Sequence, residues 1–169
     1  GDGATAVDDT GGSDVDPASF PTGPTSATFA DDAIHPVAEA PAPQLPVTVE
    51  SVDGRQVEIT DVSRIIPVAL YGTLGEIVYS LGLGANVVGR DLPTGFPEAA
   101  DVPVVTGAGH ALDVEAILGL DPSVILTDAT ILTDDVRGQL ESSGIPVVYF
   151  DEPRPLAGVD DRVRAVARA

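Results

Sequence analysis

The chain carries two histidines, eight basic residues that are all arginine, and no cysteine, and these limits decide which chemistry is open to it. His110 has the more telling setting. It closes the run Gly107-Ala108-Gly109-His110, just after the apolar stretch Val102-Pro103-Val104-Val105 and just before a helix signal. A neutral imidazole on such a loop can ligate haem iron axially or bind zinc, and it can equally stand in solvent as an ordinary surface side chain. His35, followed by Pro36 in a polar stretch, reads as solvated. Arg64 and Arg90 offer guanidinium groups that can neutralise the carboxylates of an anionic ligand or serve as plain surface cations. Glu76 stands three residues after Thr73, the spacing of a capping box, which accounts for it without a catalytic role. With no cysteine there is no disulfide, thiolate metal site, iron–sulfur cluster or cysteine nucleophile. No Gly-x-Ser-x-Gly elbow occurs, nothing locates a Ser-His-Asp triad, and Gly107-x-Gly109 lacks the third glycine of a dinucleotide fingerprint.

Hydrophobic periodicity predicts the elements that carry these residues. Val47 to Val52 and Gln56 to Thr60 alternate around Asp53-Gly54, which predicts a β-hairpin. Arg64 to Leu70 reads as a strand, and Pro67 inside it predicts an edge position or a bulge. Tyr71-Gly72-Thr73 then turns into a helix with Leu74, Ile77, Val78 and Leu81 on its buried face and Gly82 at its end. Asn86 to Gly89 and Val102 to Val105 read as short strands, separated by a turn-rich loop from Arg90 to Pro97. Asp113 caps a helix whose apolar residues Val114, Ile117 and Leu118 fall at i, i+3, i+4, and Asp121-Pro122 ends it. Ser123 to Leu126 is a strand, Asp134 to Ser143 a helix closed by Gly144, and Ile145 to Phe150 a strand. A last helix starts at Val159. Such alternation builds a parallel α/β sheet, in which ligands sit beyond the carboxyl ends of the strands. Tyr71, Arg90 and His110 all fall there.

Gly1 to Pro46 holds eight acidic residues and no basic one, scattered among Pro, Gly, Ser and Thr. Residues 1–46 are therefore expected to be a disordered acidic tether, residues 47–158 the α/β lobe, and residues 159–169 the start of a longer helix. Because 27 acidic residues face 8 basic ones, nucleic acid is not an expected partner. No apolar run approaches the roughly 20 residues of a membrane helix, and no signal-peptide pattern opens the sequence. The helix at Val159 reaches Ala169 without a cap, which reads as a boundary inside a longer protein.

The runs Leu74-Gly75-Glu76-Ile77-Val78-Tyr79-Ser80-Leu81-Gly82 and Leu112-Asp113-Val114-Glu115-Ala116-Ile117-Leu118-Gly119-Leu120-Asp121-Pro122-Ser123-Val124-Ile125 carry a family pattern. From about Val47 to Ala169 the chain resembles the amino-terminal lobe of class III periplasmic binding proteins, which serve ABC importers for vitamin B12, siderophores and haem. The glycine-bracketed histidine and the Asp-Gly hairpin look most like the haemin-uptake lipoproteins of actinobacteria. This resemblance implies a Rossmann-like binding lobe rather than an enzyme, with a second lobe beyond Ala169. It implies that His110 is an axial ligand to the iron of haem b, the transported ligand, with a tyrosine of the absent lobe opposite. Gly107 and Gly109 would let the flat macrocycle approach the backbone, Tyr71 and Arg90 would complete the ligand-binding loops, and Tyr71 is the next candidate for an iron ligand. Glu115 matches the carboxylate that docks on the ABC permease in the membrane. The resemblance also implies an extracytoplasmic, cell-surface lipoprotein whose anchor lies outside this sequence. An isolated lobe would leave one haem face open, so a haem-mediated dimer is expected. A siderophore- or cobalamin-binding protein of the same fold, or an unrelated α/β enzyme domain, are the alternatives.

Overall fold

The computed structural model describes residues 33–37, 41–151 and 159–169 of the chain. Strands β1 (Val47–Glu50) and β2 (Gln56–Ile59) form the expected antiparallel hairpin, with Val47 opposite Ile59 and Glu50 opposite Gln56. The main sheet is parallel, with β4 (Val124–Asp128) between β3 (Ile65–Val68) and β5 (Val147–Phe150). Every residue of β3 and β4 is buried, as suits parallel strands covered on both faces.

Beyond β3 the sheet continues through single parallel bridges, Ile65 to Val87 and then Arg90 to Val104. The resulting order is the segment at 104, the segment at 87–90, β3, β4, β5, and winding reverses between β3 and β4 as in doubly wound folds. The two segments expected to be strands are thus no more than bridges. For the segment at 87–90, Pro67 supplies the reason. The carbonyl of Ile65 accepts from Val88 N (3.0 Å), and Pro67, two residues on, faces the same neighbour without an N–H to extend the ladder. Pro67 therefore does not put β3 at an edge or bulge it, since its register with β4 is unbroken. It shortens the pairing on the other side.

Side-chain alternation sorts the helices onto two faces. Val124 and Leu126 of β4 join a core with Leu74, Val78 and Tyr79 of α1 (Thr73–Ser80) and Val166 of α4 (Val159–Arg168). Ile125 joins a second core with Ile117 of α2 (Val114–Gly119) and Leu140 of α3 (Asp134–Ser142). Asp113 caps α2 as expected, accepting from Ala116 N (3.0 Å). The capping box at α1 does not form: its N-cap is Gly72, in the left-handed region at φ 73°, and no side chain caps it. Thr73 is already helical, and Glu76 is left exposed in the first turn, where the helix dipole favours a carboxylate.

The boundary drawn at Val47 falls inside chain that already touches the lobe. Ile34 and Leu45 pack on the first core, Ile34 N donates to Glu98 Oε1 (3.0 Å), and Val37 N donates to Ser80 O (2.7 Å). The rest of the expected tether, residues 1–32 and 38–40, lies outside the described residues.

Candidate ligand site at the carboxyl edge of the sheet

The loop bearing His110 is closed at its stem, where Thr106 and Leu112 make an antiparallel bridge and Gly107 N donates to Ala111 O (2.8 Å). Inside it, His110 N donates to Gly107 O (3.2 Å) around a single 3-10 turn, Ala108–His110. Gly109 and His110 both take left-handed backbone, at φ 69° and φ 63°. Glycine does so freely; for histidine it is a sparsely used conformation, of the kind kept where a side chain must be aimed. Residues 107–109 are exposed and His110 is half-buried. A Cβ on Gly109 would meet nothing within 4 Å, and one on Gly107 only Ala111 O at 3.8 Å, so the loop presents open backbone to its surroundings.

Two polar residues that sequence reasoning passed over join this loop to its neighbours. Asp91 is fully buried and accepts from Ala69 N (2.8 Å), Thr94 N (2.8 Å) and Thr94 Oγ1 (2.6 Å). It thereby clamps the loop after β3 to the loop that starts at Arg90. Thr106 Oγ1 accepts from Leu92 N (3.1 Å), tying that second loop to the stem of the His110 loop. The Asp-x-x-Thr spacing of Asp91 and Thr94 was a readable signal, since a short carboxylate commonly accepts from the amide three residues on.

Tyr71 lies on the first of these loops, 64% exposed, and Leu92 on the second, 59% exposed. His110 follows the segment at 104 and Tyr71 follows β3, two strand steps away, which corresponds to about 10 Å across the sheet. Arg90 shares the edge, but its guanidinium is engaged: Nε donates to Val102 O (3.0 Å) and Nη1 to Thr94 O (2.8 Å) and Asp91 O (3.3 Å). Arg64 is not at the site. It precedes β3, at the amino end of the sheet, and its Nε donates to Leu120 O (3.1 Å) and Asp121 O (2.9 Å) at the end of α2, where a cation suits the helix dipole. Tyr79 is core: its ring meets Phe96 edge-on at 4.7 Å, and burial pushes its phenol above the ordinary value. His35 is exposed, next to Ile34 and Val37, which bond to Glu98 and to the last turn of α1, the end away from Tyr71. Glu115 is exposed in the first turn of α2. Among the described residues no three of His, Cys, Asp and Glu converge as a metal site, which leaves the zinc reading of His110 without co-ligands.

The Periplasmic binding protein family matches residues 68–169, which is more than half of the chain. The chain belongs to the periplasmic binding protein family. Among solved structures it is similar to heme binding protein HmuT, at 38% identity and a TM-score of 0.77, over 80% of this chain and 44% of that one. HmuT has also been solved with single histidine, tyrosine and arginine residues changed to alanine. The Cobalamin-binding protein of Halobacterium salinarum is 28% identical over 151 residues, 88% of this chain and 38% of the relative. The ABC transporter substrate-binding lipoprotein YvrC of Bacillus subtilis is 28% identical over 127 residues, 73% of this chain and 40% of the relative. The chain thus spans less than half the length of these relatives. They are binding proteins, not enzymes, as expected for this chain.

Two further features of this periplasmic binding protein stand apart from His110. At the end of β4, buried Asp128 accepts from Thr130 N (3.1 Å) and Thr130 Oγ1 and pairs with Arg162 of α4, while Thr130 Oγ1 accepts from Leu70 N (3.0 Å). The crevice between β3 and β4, where winding reverses, is therefore bridged by the protein's own polar groups. A cleft of about 750 Å³ opens between β1, β5 and α4, lined by Val47, Val49, Phe150, Arg162 and Ala165. It borders the opposite end of the strand order from the His110 loop, four strand steps away, or roughly 19 Å. Among the described residues no helix is long and apolar enough to cross a membrane.

Proposed function

We propose that this chain is the amino-terminal, haem-binding lobe of the extracytoplasmic substrate-binding component of an ABC importer, with haem b as the transported ligand. The observation that carries the reading is His110, held in left-handed backbone on an open glycine loop at the carboxyl edge of a chain whose fold matches a heme binding protein. In this reading the imidazole supplies one axial bond to the iron, and exposed Tyr71 and Leu92 offer an aromatic and an aliphatic surface beside the macrocycle. Gly107 and Gly109 keep the approach free of side chains. Arg90 acts mainly by holding the loop, since its donors already serve backbone carbonyls. Glu115, exposed on the helix that follows, is proposed as the contact to the permease. The names of HmuT and YvrC support the ligand class and the lipoprotein location respectively.

Titration of haemin into the protein, followed by absorption, tests this. A Soret shift is expected, weakened about tenfold or more in affinity by His110→Ala and untouched by His35→Ala. Glu115→Ala should bind haem normally and lower uptake when placed in a full-length importer component. The second reading, a cobalamin binder, is favoured by the similarity to the Cobalamin-binding protein of H. salinarum. Absence of a Soret shift together with saturable cobalamin binding would establish it instead.

A further inference from the structure

The axial-ligand reading says which atom reaches the iron; it leaves open what fixes that atom's position. His110 sits on a loop that is exposed on three successive residues, with open space at Gly109. Left to itself such a loop would pivot about its Thr106–Leu112 stem. Across the edge of the sheet, however, the polar contacts form one connected chain. Buried Asp91 fixes Ala69 N and the Thr94 turn, and Thr94 Oγ1 also reaches Gly72 O (3.5 Å), beside Tyr71. The residue after Asp91, Leu92, donates its N–H to Thr106 Oγ1, and Thr106 is one half of the bridge that closes the His110 loop.

We propose that Thr106, backed by Asp91, is the positioning residue of the ligand site, setting the height and tilt of the His110 loop relative to Leu92 and Tyr71. This rests on the haem reading above. Neither residue touches the ligand; each acts through backbone it holds. The Thr106 bond is the weak link by which this role can be isolated. Leu92 is exposed, so an N–H released there is taken up by water and costs little stability, whereas the two loops lose the tie that extends beyond the Arg90–Val104 bridge, where Val105 N still donates to Arg90 O (2.9 Å). Asp91 gives no such separation, because removing a fully buried carboxylate orphans three donors at once and unravels the edge.

The test uses Thr106→Val, which keeps shape and removes the acceptor, and Thr106→Ser, which keeps the acceptor, each titrated with haemin beside His110→Ala. The thermal midpoint of Thr106→Val is expected to stay close to that of the parent, its haem affinity to fall about tenfold, and its ferric spectrum at saturation to show a mixed axial-ligand population. Thr106→Ser is expected to restore both affinity and spectrum. If His110→Ala weakens binding while Thr106→Val matches the parent in both readouts, the positioning role is overturned and the ligand assignment stands. Failure of Thr106→Ser to restore binding also overturns it, since methyl packing and not the hydrogen bond would then set the loop. If His110→Ala leaves binding intact, the haem-ligand reading itself fails.

Discussion

Gly75 shows how far the site's scaffold reaches into its surroundings. It lies inside α1, where alanine is ordinarily better than glycine by about 1 kcal/mol. A Cβ there would stand 2.5 Å from Thr94 Oγ1 and 2.8 Å from Thr94 Cγ2, closer than real contacts allow. Thr94 is 1% exposed and fastened to Asp91 through both its amide and its hydroxyl, so it has nowhere to retreat. Overpacking of this kind costs about 1–3 kcal/mol, which outweighs the gain in helix propensity. Gly75→Ala is accordingly expected to destabilise the protein by roughly 1–2 kcal/mol in urea unfolding. A variant more stable than the parent would mean that Thr94 is free to move and that Asp91 does not pin it. His110 could be picked out of the sequence because its neighbours are local: two glycines before it and a helix signal after it. The clamp of Asp91 on Ala69 and the tie at Thr106 could not, because each depends on a partner brought in by the fold, whereas the Asp91–Thr94 turn is local. Ala69 is 22 residues from Asp91, and Leu92 is 14 from Thr106.

The elements that carry the site were largely readable from periodicity, and the exceptions are backbone effects that a hydrophobic pattern does not register. One is the N–H that Pro67 lacks, which cuts the pairing of β3 with the segment at 87–90 to a bridge. Another is the left-handed Gly72, which moves the cap of α1 one residue ahead of the Thr73–Glu76 spacing. The docking of the hairpin was equally hidden, since it depends on Val52 N donating to Tyr149 O (2.7 Å) and Ser51 Oγ accepting from Tyr149 N (2.7 Å). Its turn is held by charge. Asp53 accepts from Arg55 Nε (2.8 Å) and Arg137 Nη1 (3.1 Å), while Arg137 also lies 4.6 Å over the Tyr149 ring. Burial pushes the Asp53 carboxyl up, but the hydrogen bonds of Arg55 and the charges of Arg55 and Arg137 outweigh it and hold it below the usual 3.8. A carboxyl depressed in the folded state stabilises fully above its unfolded value and loses that contribution as pH falls through the folded one. Asp53→Asn should therefore cost about 0.5–1 kcal/mol at neutral pH, an amount suited to a partly exposed network. The gap to the parent should hold down to about pH 4 and close below it. Urea unfolding of both proteins at several pH values checks this; a gap that widens on acidification would mean that the Asp53 charge is not what holds the turn.

At the scale of the whole molecule, charge and coverage pull against each other. The chain carries a formal net charge of −19 and spans 44% of the length of HmuT. In the proposed reading this lobe gives the iron one axial ligand and covers one face of the macrocycle, so a second copy of the lobe is the nearest source of cover for the other. Burying that apolar face favours association, because the exposed aromatic and aliphatic surface of Tyr71, Leu92 and the macrocycle is removed from water. Two chains of such negative charge repel at the same time. The repulsion acts over a Debye length of about 10 Å in 0.1 M salt and only about 3 Å in 1 M. Haem should accordingly raise the molecular mass toward that of a dimer, and the dimer fraction should grow with ionic strength at fixed haem and protein concentration. Sedimentation of the apo and haem-loaded chain at low and high salt measures both dependences. A holo form that stays monomeric throughout would mean that one lobe satisfies the haem alone, and a dimer that dissociates as salt is added would mean that ion pairs, not a covered haem face, hold the copies together.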